Sequence, residues 1–386
     1  MVLIIYFMQK LYKFIRIREN IEYLYCLFSI LIMATTYTPP FRSLDSVSTW
    51  LKGYYYINYF DLGFIKRGLI GSSLKMFNIT NYNYPSIFVV TIHAFVTSFI
   101  AIIFWKLAKS FFNKIEFKDK VLFYSIFLIS PVMFLRTGYD IGRMDAWMLL
   151  ISLLTMLLIS MEYFSFSLIS IFMSLSISIQ IFIHEASILI YSPFLLGLYW
   201  FKFNSNIRSK FQKLIPIFTV PILACLLIFL FGRYENGQTE LNLYLKNINN
   251  ELVGSLPMEL TFTIKENINF ALGQLTLGKL LGGSYLVTVY YFFIIFISFR
   301  SANLPIYLKS ICFSPVLLSF IASDTTRFLA LSAICTNLLI LIAAREGKLI
   351  FKQDNRIIIY IFIFSMFILG PWGIGPNDPL PLLKHY

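Results

Sequence analysis

The chain has 386 residues, of which 58% are hydrophobic and 13% are charged, and its formal net charge is +13. A soluble domain carries about 25% charged residues, so the composition excludes a soluble enzyme and predicts an all-α polytopic membrane protein. The sequence contains no P-loop and no Rossmann fingerprint, which removes the common nucleotide-binding folds. Its four cysteines lie in apolar runs without a CxxC pair, so neither a disulfide framework nor a thiolate metal site is expected.

Apolar runs predict about eleven membrane-spanning helices within a single integral-membrane domain that covers residues 1–386. The apolar start MVLIIYFM precedes the basic residues from Lys10 to Arg18, the reverse of signal-peptide order, so we expect the first span to remain as an anchor. His93 lies within the second span and is predicted to make an ordinary polar contact between helices. In chain order the predicted spans cover residues 22–39, 86–105, 121–135, 146–161, 165–183, 186–201, 214–232, 284–299, 305–322, 328–343 and 357–373.

Lysine and arginine residues concentrate in alternate segments between the predicted spans. The dense segments are 1–21, 106–120, 202–213 and 344–356, whereas the segments on the other side are nearly neutral. Because basic residues favour the cytoplasmic side, this asymmetry predicts a cytoplasmic N-terminus and a periplasmic C-terminus in a bacterial inner membrane. The same bias accounts for the net charge, so no nucleic-acid partner is expected.

Two of the predicted outer segments are long. The first, at about 40–85, is amphipathic and rich in Trp, Tyr and Phe, which is typical of a segment lying at the level of the lipid headgroups. The second, at about 233–283 and before the eighth span, is polar and Asn-rich at first. It then becomes apolar at the spacing of one helix face, at Leu260, Ile264, Ile268 and Leu272.

The remaining charged residues fall in four short clusters, and the predicted topology places all four on the outer face. Ionised groups at the ends of apolar helices are costly unless they are paired or line a polar cavity. A shared site at this face is therefore predicted. The clusters are Asp61, Lys66 and Arg67 in FDLGFIKRG; Arg136, Asp140, Arg143 and Asp145 in LRTGYDIGRMDAW; His184 and Glu185 in FIHEAS; and Asp324 and Arg327 in ASDTTRF.

Each cluster also has a purely structural explanation. Asp61 is a candidate N-cap for a helix running through IKRGLIGSSL, because Asp is a favoured N-cap residue. The LRTGYDIGRMDAW cluster is a candidate solvated turn with local ion pairs, which contribute about 0–1 kcal/mol on a surface. His184 and Glu185 are a candidate interfacial pair, and Asp324 and Arg327 a candidate bridge between two helices.

Taken together, the four clusters favour a phosphate-bearing ligand. Guanidinium groups hold phosphate oxygens in bidentate fashion, and a nearby carboxylate or imidazole can act as general base. Arginine, lysine or a divalent metal ion can neutralise a leaving diphosphate. The periplasmic face has no ATP and no nucleotide sugar, so the expected donor is a sugar carried on polyprenyl phosphate or diphosphate.

The layout resembles the GT-C class of membrane glycosyltransferases over about the first 200 residues. In that class a long outer loop with membrane-parallel helices follows the first span and carries a catalytic Asp. The resemblance implies this role for Asp61 in YFDLGFIKRG, with Asp45 as second candidate. The Asp-x-Asp or Glu-x-Asp pair common in the class is missing around Asp61, which weighs against a metal there.

In length and composition the chain also resembles the O-antigen and capsular polysaccharide polymerases of Gram-negative bacteria, whose long outer loops bear functional arginines. Both resemblances imply transfer of a glycan from a polyprenyl diphosphate-linked oligosaccharide to a sugar hydroxyl, in contact with membrane lipid and with a chain-length regulator protein as a further candidate partner. The implied proton acceptors are Asp61 or the pair His184 and Glu185. The implied donor-binding residues are Lys66, Arg67, Arg136, Arg143 and Arg327, and Asp140, Asp145 and Asp324 would orient them or bind a divalent metal.

Two other classes of function compete with this interpretation. A lipid-linked oligosaccharide flippase or another transporter would carry polar residues near the bilayer midplane, often in broken helices. Here the charges lie at one face, and no inverted repeat is evident. A membrane acyltransferase is suggested only by His184 next to an acidic residue.

Overall fold

Helices form nearly all of the regular structure. A computed structural model of the chain describes residues 17–37, 47, 49–161, 164–202, 207–252, 260–274, 285–320, 324–350 and 353–369. Within these ranges there is no β-strand, and the one isolated bridge joins Ala302 to Leu349. The predicted all-α class is therefore confirmed.

Eighteen α-helices are present in the described ranges and are numbered in chain order, with one π-helical and two 3-10 segments between them. The helices are α1 (Ile17–Thr35), α2 (Thr49–Gly53), α3 (Tyr59–Leu62), α4 (Leu69–Met76), α5 (Pro85–Phe111), α6 (Phe117–Ile129), α7 (Arg136–Tyr139), α8 (Asp145–Ser160), α9 (Phe166–Ile183), α10 (Ser187–Ile190), α11 (Ser192–Lys202), α12 (Ile207–Phe231), α13 (Gly237–Ile248), α14 (Ile264–Gln274), α15 (Tyr285–Ser301), α16 (Ile306–Ile311), α17 (Thr325–Arg345) and α18 (Gln353–Leu369). The π-helical segment is Pro131–Leu135, and the 3-10 segments are Asn250–Leu252 and Ser314–Phe320.

Every predicted span coincides with one helix or with two consecutive helical segments, although residues 38–39, 284, 321–322 and 370–373 lie outside the described residues. By length and apolar composition, five described helical segments can cross a membrane. The chain is therefore a helical membrane protein. The five segments are Pro85–Phe111, Phe117–Tyr139, Phe166–Ile183, Leu214–Phe231 and Thr325–Arg345.

Prolines interrupt three of the predicted spans. The span predicted at 186–201 is two helices, because Pro193 has no backbone N–H to continue the ladder of α10. The Ser192 hydroxyl instead donates to the carbonyl of Ser187 at 2.9 Å. Pro315 likewise follows the end of α16, and Pro131 opens the π-helical segment after α6.

The segment beginning at Pro131 carries the chain further than predicted. The span predicted to end at residue 135 continues through α7 to Tyr139, so Arg136 lies within a helix and not in an outer loop. Its side chain is buried as a result. Single π-helical turns inside longer helices often occur at functional sites, because the extra residue shifts the side chains that follow.

Helix α17 is the centre of the bundle and is buried on nearly every side. It packs against α15, α5 and the 3-10 segment Ser314–Phe320. The Ser332 hydroxyl donates to the carbonyl of Cys312 at 2.6 Å, and Asn337 Oδ1 accepts from the Tyr290 hydroxyl at 2.9 Å. Asn337 Nδ2 has no partner among the described residues. A helix apolar all round is expected at such a position.

Helices α8 and α17 run parallel. Their first turns are joined by Asp145 and Arg327, and at their other ends Arg345 donates to the carbonyl of Ser160 at 2.8 Å. Arg327 and Arg345 are thus separated by 18 positions of one helix, a rise of about 27 Å. The ends predicted to lie on the outer face therefore meet at one end of the bundle.

Helix α4 packs closely against the preceding part of the first long segment. Gly71 approaches the backbone so nearly that a Cβ atom there would lie 2.1 Å from the carbonyl oxygen of Ile57. Residues 40–46 and 48 of this segment lie outside the described residues. The backbone of Lys66 is also fixed, because its N–H donates to the carbonyl of Gly232 at 2.8 Å.

We expect the substitution Gly71→Ala to destabilise the protein by about 1–3 kcal/mol, because the added methyl group overlaps backbone that cannot move away. Thermal unfolding in detergent measures the effect. Gly273→Ala is the matched control, since Gly273 lies in α14 with no atom within 4 Å of the added Cβ. An unfolding temperature equal in both variants would contradict the close packing of α4.

Candidate functional site

An ion-pair cluster joins four segments of the chain at the end of the bundle where α8 and α17 begin. Most of its side chains are largely buried, although Glu185 and Asp324 are about one-third exposed at 35% and 36%. The members come from the first long segment, from the α7–α8 region, from the turn after α9 and from the start of α17. They are Arg67, Arg136, Asp140, Arg143, Asp145, His184, Glu185, Asp324 and Arg327.

The pair of Asp145 and Arg327 is the core of the ion-pair cluster. The Arg327 guanidinium donates from Nε and Nη2 to the two carboxylate oxygens of Asp145, each at 2.6 Å. Asp145 begins α8, where the helix dipole favours a negative charge. Asp324 caps α17 by accepting the Arg327 backbone N–H at 3.3 Å. Local helix chemistry thus fixes both partners of the pair.

Arg136 and Arg143 continue the ion-pair cluster on one side. Arg143 donates from Nη1 to Asp324 at 2.8 Å, and its Nε lies 3.5 Å from Asp140. Asp140 also accepts from Arg136 Nε at 3.1 Å. Gly142 makes the intervening turn possible with a φ of 86°. The prediction of a solvated turn is wrong, because the arginine side chains are only 10% and 18% exposed.

Arg67 joins the first long segment to the ion-pair cluster. It donates to Glu185 from Nε at 3.0 Å and from Nη2 at 2.5 Å, and from Nη1 to the Tyr54 hydroxyl at 2.5 Å. The Arg67 backbone has a φ of 64°, which a non-glycine residue adopts only where its surroundings enforce it. The electrostatic influence of Lys66 also reaches Glu185. Burial acts to raise the pKa of Glu185, but Arg67 outweighs it and holds the pKa well below its ordinary value.

His184 connects the two halves of the ion-pair cluster. Its Nε2 lies 3.2 Å from Arg327 Nη2, and its Nδ1 lies 3.5 Å from a Glu185 oxygen. A guanidinium only donates, so Nε2 faces a donor and can accept from it. The backbone N–H of Ala186 also donates to Nδ1 at 3.2 Å. Burial and the charge of Arg67 lower the pKa of His184 to about 3, so the imidazole is neutral at pH 7.

Asp61 makes its contacts outside the ion-pair cluster. Its carboxylate pairs with Lys75 and accepts from Asn58 Nδ2 at 3.0 Å and from the Tyr244 hydroxyl at 2.7 Å. The predicted N-cap role is wrong, because Asp61 lies inside α3, which Asn58 caps, and α4 begins after Gly68. Burial acts to raise the pKa of Asp61, but the hydrogen bonds from Lys75, Asn58 and Tyr244 outweigh it and hold the pKa at about 2.

His93 is a satisfied interhelical contact, as predicted. Its Nε2 lies 2.8 Å from the carbonyl oxygen of Thr137, and the N–H of Gly142 points to its Nδ1 at 3.4 Å. The ring thereby supports the turn that carries Arg143.

A small cavity with a volume of about 30 Å³ lies within the ion-pair cluster, room for about one or two water molecules. Among the described residues, no group of three His, Cys, Asp or Glu side chains is arranged to hold a metal ion. Four arginines face four carboxylates here, so the ion-pair cluster is close to neutral before a ligand enters. The side chains that line the cavity include Arg136, Asp140, Arg143, Asp145, Tyr191 and Arg327.

Two tyrosines of this region were not predicted from the sequence. Tyr54 holds Arg67 by a hydrogen bond, and Tyr191 lines the cavity at the break between α10 and α11. With 24 tyrosines in the chain, aromatic content gives no means of selecting these two. The proline at position 193 was the available signal, because it places Tyr191 at a helix break.

Fold and site together define a helical membrane protein with a buried arginine–carboxylate cluster at one end of its bundle. Comparisons with known protein families, curated proteins and solved structures give no match to this chain.

Replacing Asp145 by Leu leaves the Arg327 charge buried without its main partner, so we expect a loss of about 3–5 kcal/mol in stability. The double variant Asp145→Leu, Arg327→Met should recover most of that loss, because apolar residues of similar size often replace a buried ion pair without cost. Unfolding in detergent measures both. A double variant no more stable than Asp145→Leu would show that the pair does not act as a unit.

The Asp61 carboxylate has a folded-state pKa of about 2 against an ordinary value of 3.8. It therefore contributes stability that is fully present above pH 5 and is lost as the pH falls from about 4 to about 2. We expect the difference in unfolding temperature between the wild type and Asp61→Asn to shrink over that interval. A difference that does not change between pH 5 and pH 2 would contradict the ionic role of Asp61.

Proposed function

We propose that the protein is a glycosyltransferase of the bacterial inner membrane that moves a glycan from a polyprenyl diphosphate carrier to a sugar hydroxyl, most simply as a polymerase of O-antigen or capsular repeat units. In this proposal eleven spans cross the membrane, with the N-terminus cytoplasmic, the C-terminus periplasmic and both long segments outside. Basic residues at the opposite end of the bundle, including Arg345, support that orientation.

The observation that carries the proposal is the gathering of four guanidinium groups from three separate segments. Arg67, Arg136, Arg143 and Arg327 all belong to the ion-pair cluster, and three of them line its cavity. A guanidinium keeps its charge in a membrane and matches the geometry of phosphate oxygens. A diphosphate has enough oxygens to engage several such groups.

The carboxylates explain how the arginines remain stable without a ligand. Asp140, Asp145 and Asp324 each hold an arginine, so we assign them the orienting role. An arriving diphosphate offers stronger charge-assisted hydrogen bonds and displaces part of these contacts. The arginines would then neutralise the leaving diphosphate, as preorganised cations do in phosphoryl and glycosyl transfer.

His184 is the proton acceptor that the geometry favours over Asp61. Its Nε2 faces the Arg327 guanidinium and offers a lone pair, and its Nδ1 lies 3.5 Å from a Glu185 oxygen. In the resting protein burial, and after it the charge of Arg67, lower the pKa of this imidazole. A bound diphosphate would compensate the charges of Arg67 and Arg327, so the pKa of His184 rises when the donor is present. The base is thereby activated by its substrate.

Asp61 is instead a positioning residue in this proposal. It ties α3 to α4 through Lys75 and to α13 through Tyr244, which connects the two long segments. Its low pKa and saturated hydrogen bonding make it a poor base in the resting state.

A transporter is the second candidate, favoured by one observation. Prolines break the spans at 186–201 and 305–322, and broken helices are characteristic of transporter binding sites. The charges, however, lie at one end of the bundle and not at the middle of the helices. We therefore rank a lipid-linked oligosaccharide flippase below the transferase.

Deletion of the gene should leave single repeat units on the lipid acceptor and abolish the polysaccharide ladder on a gel. Complementation with Arg327→Lys should restore little of the ladder, with transfer reduced about a hundredfold, because lysine cannot make the bidentate contact. The control is Arg233→Lys, at an arginine of the second long segment that donates to the carbonyl of Thr261 at 2.7 Å and lies outside the ion-pair cluster. That variant should restore the ladder fully.

Two outcomes would contradict the proposal. A normal ladder with Arg327→Lys would show that Arg327 does not bind the donor. Accumulation of undecorated carrier on the cytoplasmic side after deletion would instead support the flippase.

A further inference from the structure

Tyr191 is a buried side chain whose hydroxyl has no hydrogen-bond partner among the residues that the structure describes. It lies between α10 and α11, where Pro193 breaks the helix and leaves Tyr191 at the C-terminus of a single turn. It lines the same cavity as Arg143, Asp145 and Arg327, and its hydroxyl is within electrostatic range of Asp145 and Arg327.

This lack of a partner separates Tyr191 from the other buried tyrosines. Buried hydroxyl groups are nearly always hydrogen-bonded, because an unpaired one forfeits its contacts with water. A partner on the protein is present for each of Tyr54, Tyr55, Tyr56, Tyr124, Tyr199 and Tyr290. Tyr191 thus differs from these six tyrosines, and its unpaired hydroxyl occurs in the wall of the charged cavity. The buried hydroxyls of Ser187, Ser298 and Ser319 also have no partner among the described residues, but they do not line the cavity.

We propose that Tyr191 is a ligand-binding residue, whose hydroxyl donates a hydrogen bond to a diphosphate oxygen held by Arg143 and Arg327. This inference rests on the proposed function, because it assigns the diphosphate of the donor to the cavity. A hydroxyl can donate to an anion, and every arginine around it favours an anion over a cation.

The arrangement favours the occupied state over the empty one. The cavity of about 30 Å³ is too small for a diphosphate, so binding requires an arginine to turn away from its carboxylate. Tyr191 loses no contact when this happens and gains one with the ligand. A group that is unpaired in one state and paired in the other shifts the equilibrium towards the second. Tyr191 therefore contributes to donor affinity without holding the resting site closed.

The test compares Tyr191→Phe with Tyr199→Phe, which removes a buried hydroxyl from α11 that does not line the cavity. The Tyr199 hydroxyl is satisfied by Ser170 at 2.6 Å. Two quantities are measured on the full-length protein in detergent: the affinity for inorganic diphosphate, by calorimetry, and the unfolding temperature without ligand. Wild-type protein is the reference for both.

The two variants should respond in opposite ways. Tyr191→Phe should bind diphosphate about tenfold to a hundredfold more weakly, as expected for a lost hydrogen bond to a charged group, and should unfold at the same or a higher temperature. Tyr199→Phe should unfold at a lower temperature and bind diphosphate like the wild type. A loss of diphosphate affinity without a loss of unfolding temperature identifies a ligand-binding hydroxyl, and the reverse result identifies a structural one.

Several results would overturn the inference. It is rejected if Tyr191→Phe binds diphosphate with unchanged affinity. It is also rejected if Tyr191→Phe lowers the unfolding temperature as far as Tyr199→Phe does, or if the wild type does not bind diphosphate. If diphosphate binding depends on Tyr191 but the deletion strain keeps its polysaccharide ladder, the anion site stands and the proposed transferase falls. If Arg327→Lys loses the ladder but Tyr191→Phe binds diphosphate as tightly as the wild type, only the inference about Tyr191 is rejected.

Discussion

The structure depends on the cost of placing charged arginines among apolar helices. Arg327 lies near the start of the most buried helix, and without Asp145 its charge would have no close compensation. The pair fixes the relative position of α8 and α17, and those two helices bring Arg143 and Asp324 within reach of one another. Arg67 and Glu185 then attach the first long segment to the same point. One buried ion pair thus determines how four distant parts of the chain meet.

The same compensation gives the site its chemical character. Each guanidinium is held by a carboxylate at rest, so the arginines are ordered and charged before any ligand binds. An anionic ligand competes with these carboxylates and does not have to organise flexible side chains. Because Glu185 touches both Arg67 and His184, a change at the arginines reaches the imidazole and the first long segment together. Donor binding and proton transfer are coupled in this account through a single carboxylate.

The sequence was sufficient to predict the helices and the set of charged residues, since both follow from local pattern. Apolar runs located the spans, and the alternation of basic segments indicated that Asp145 and Arg327 lie at the same end. The pairings could not be predicted: the two residues are 182 positions apart, and no local signal selects a partner over that distance. The partners of Asp61 could not be predicted for the same reason, because Lys75 and Tyr244 approach it only in the folded protein.

The central claim is that the ion-pair cluster binds a polyprenyl diphosphate-linked glycan and transfers the glycan to a sugar hydroxyl. The most direct measurement uses purified protein in liposomes with such a donor and follows the length of the glycan product. The account predicts elongation by the wild type and none by the double variant Asp145→Leu, Arg327→Met, although that variant remains folded. Elongation by the double variant at the wild-type rate would contradict it, as would a folded wild type that transfers no glycan.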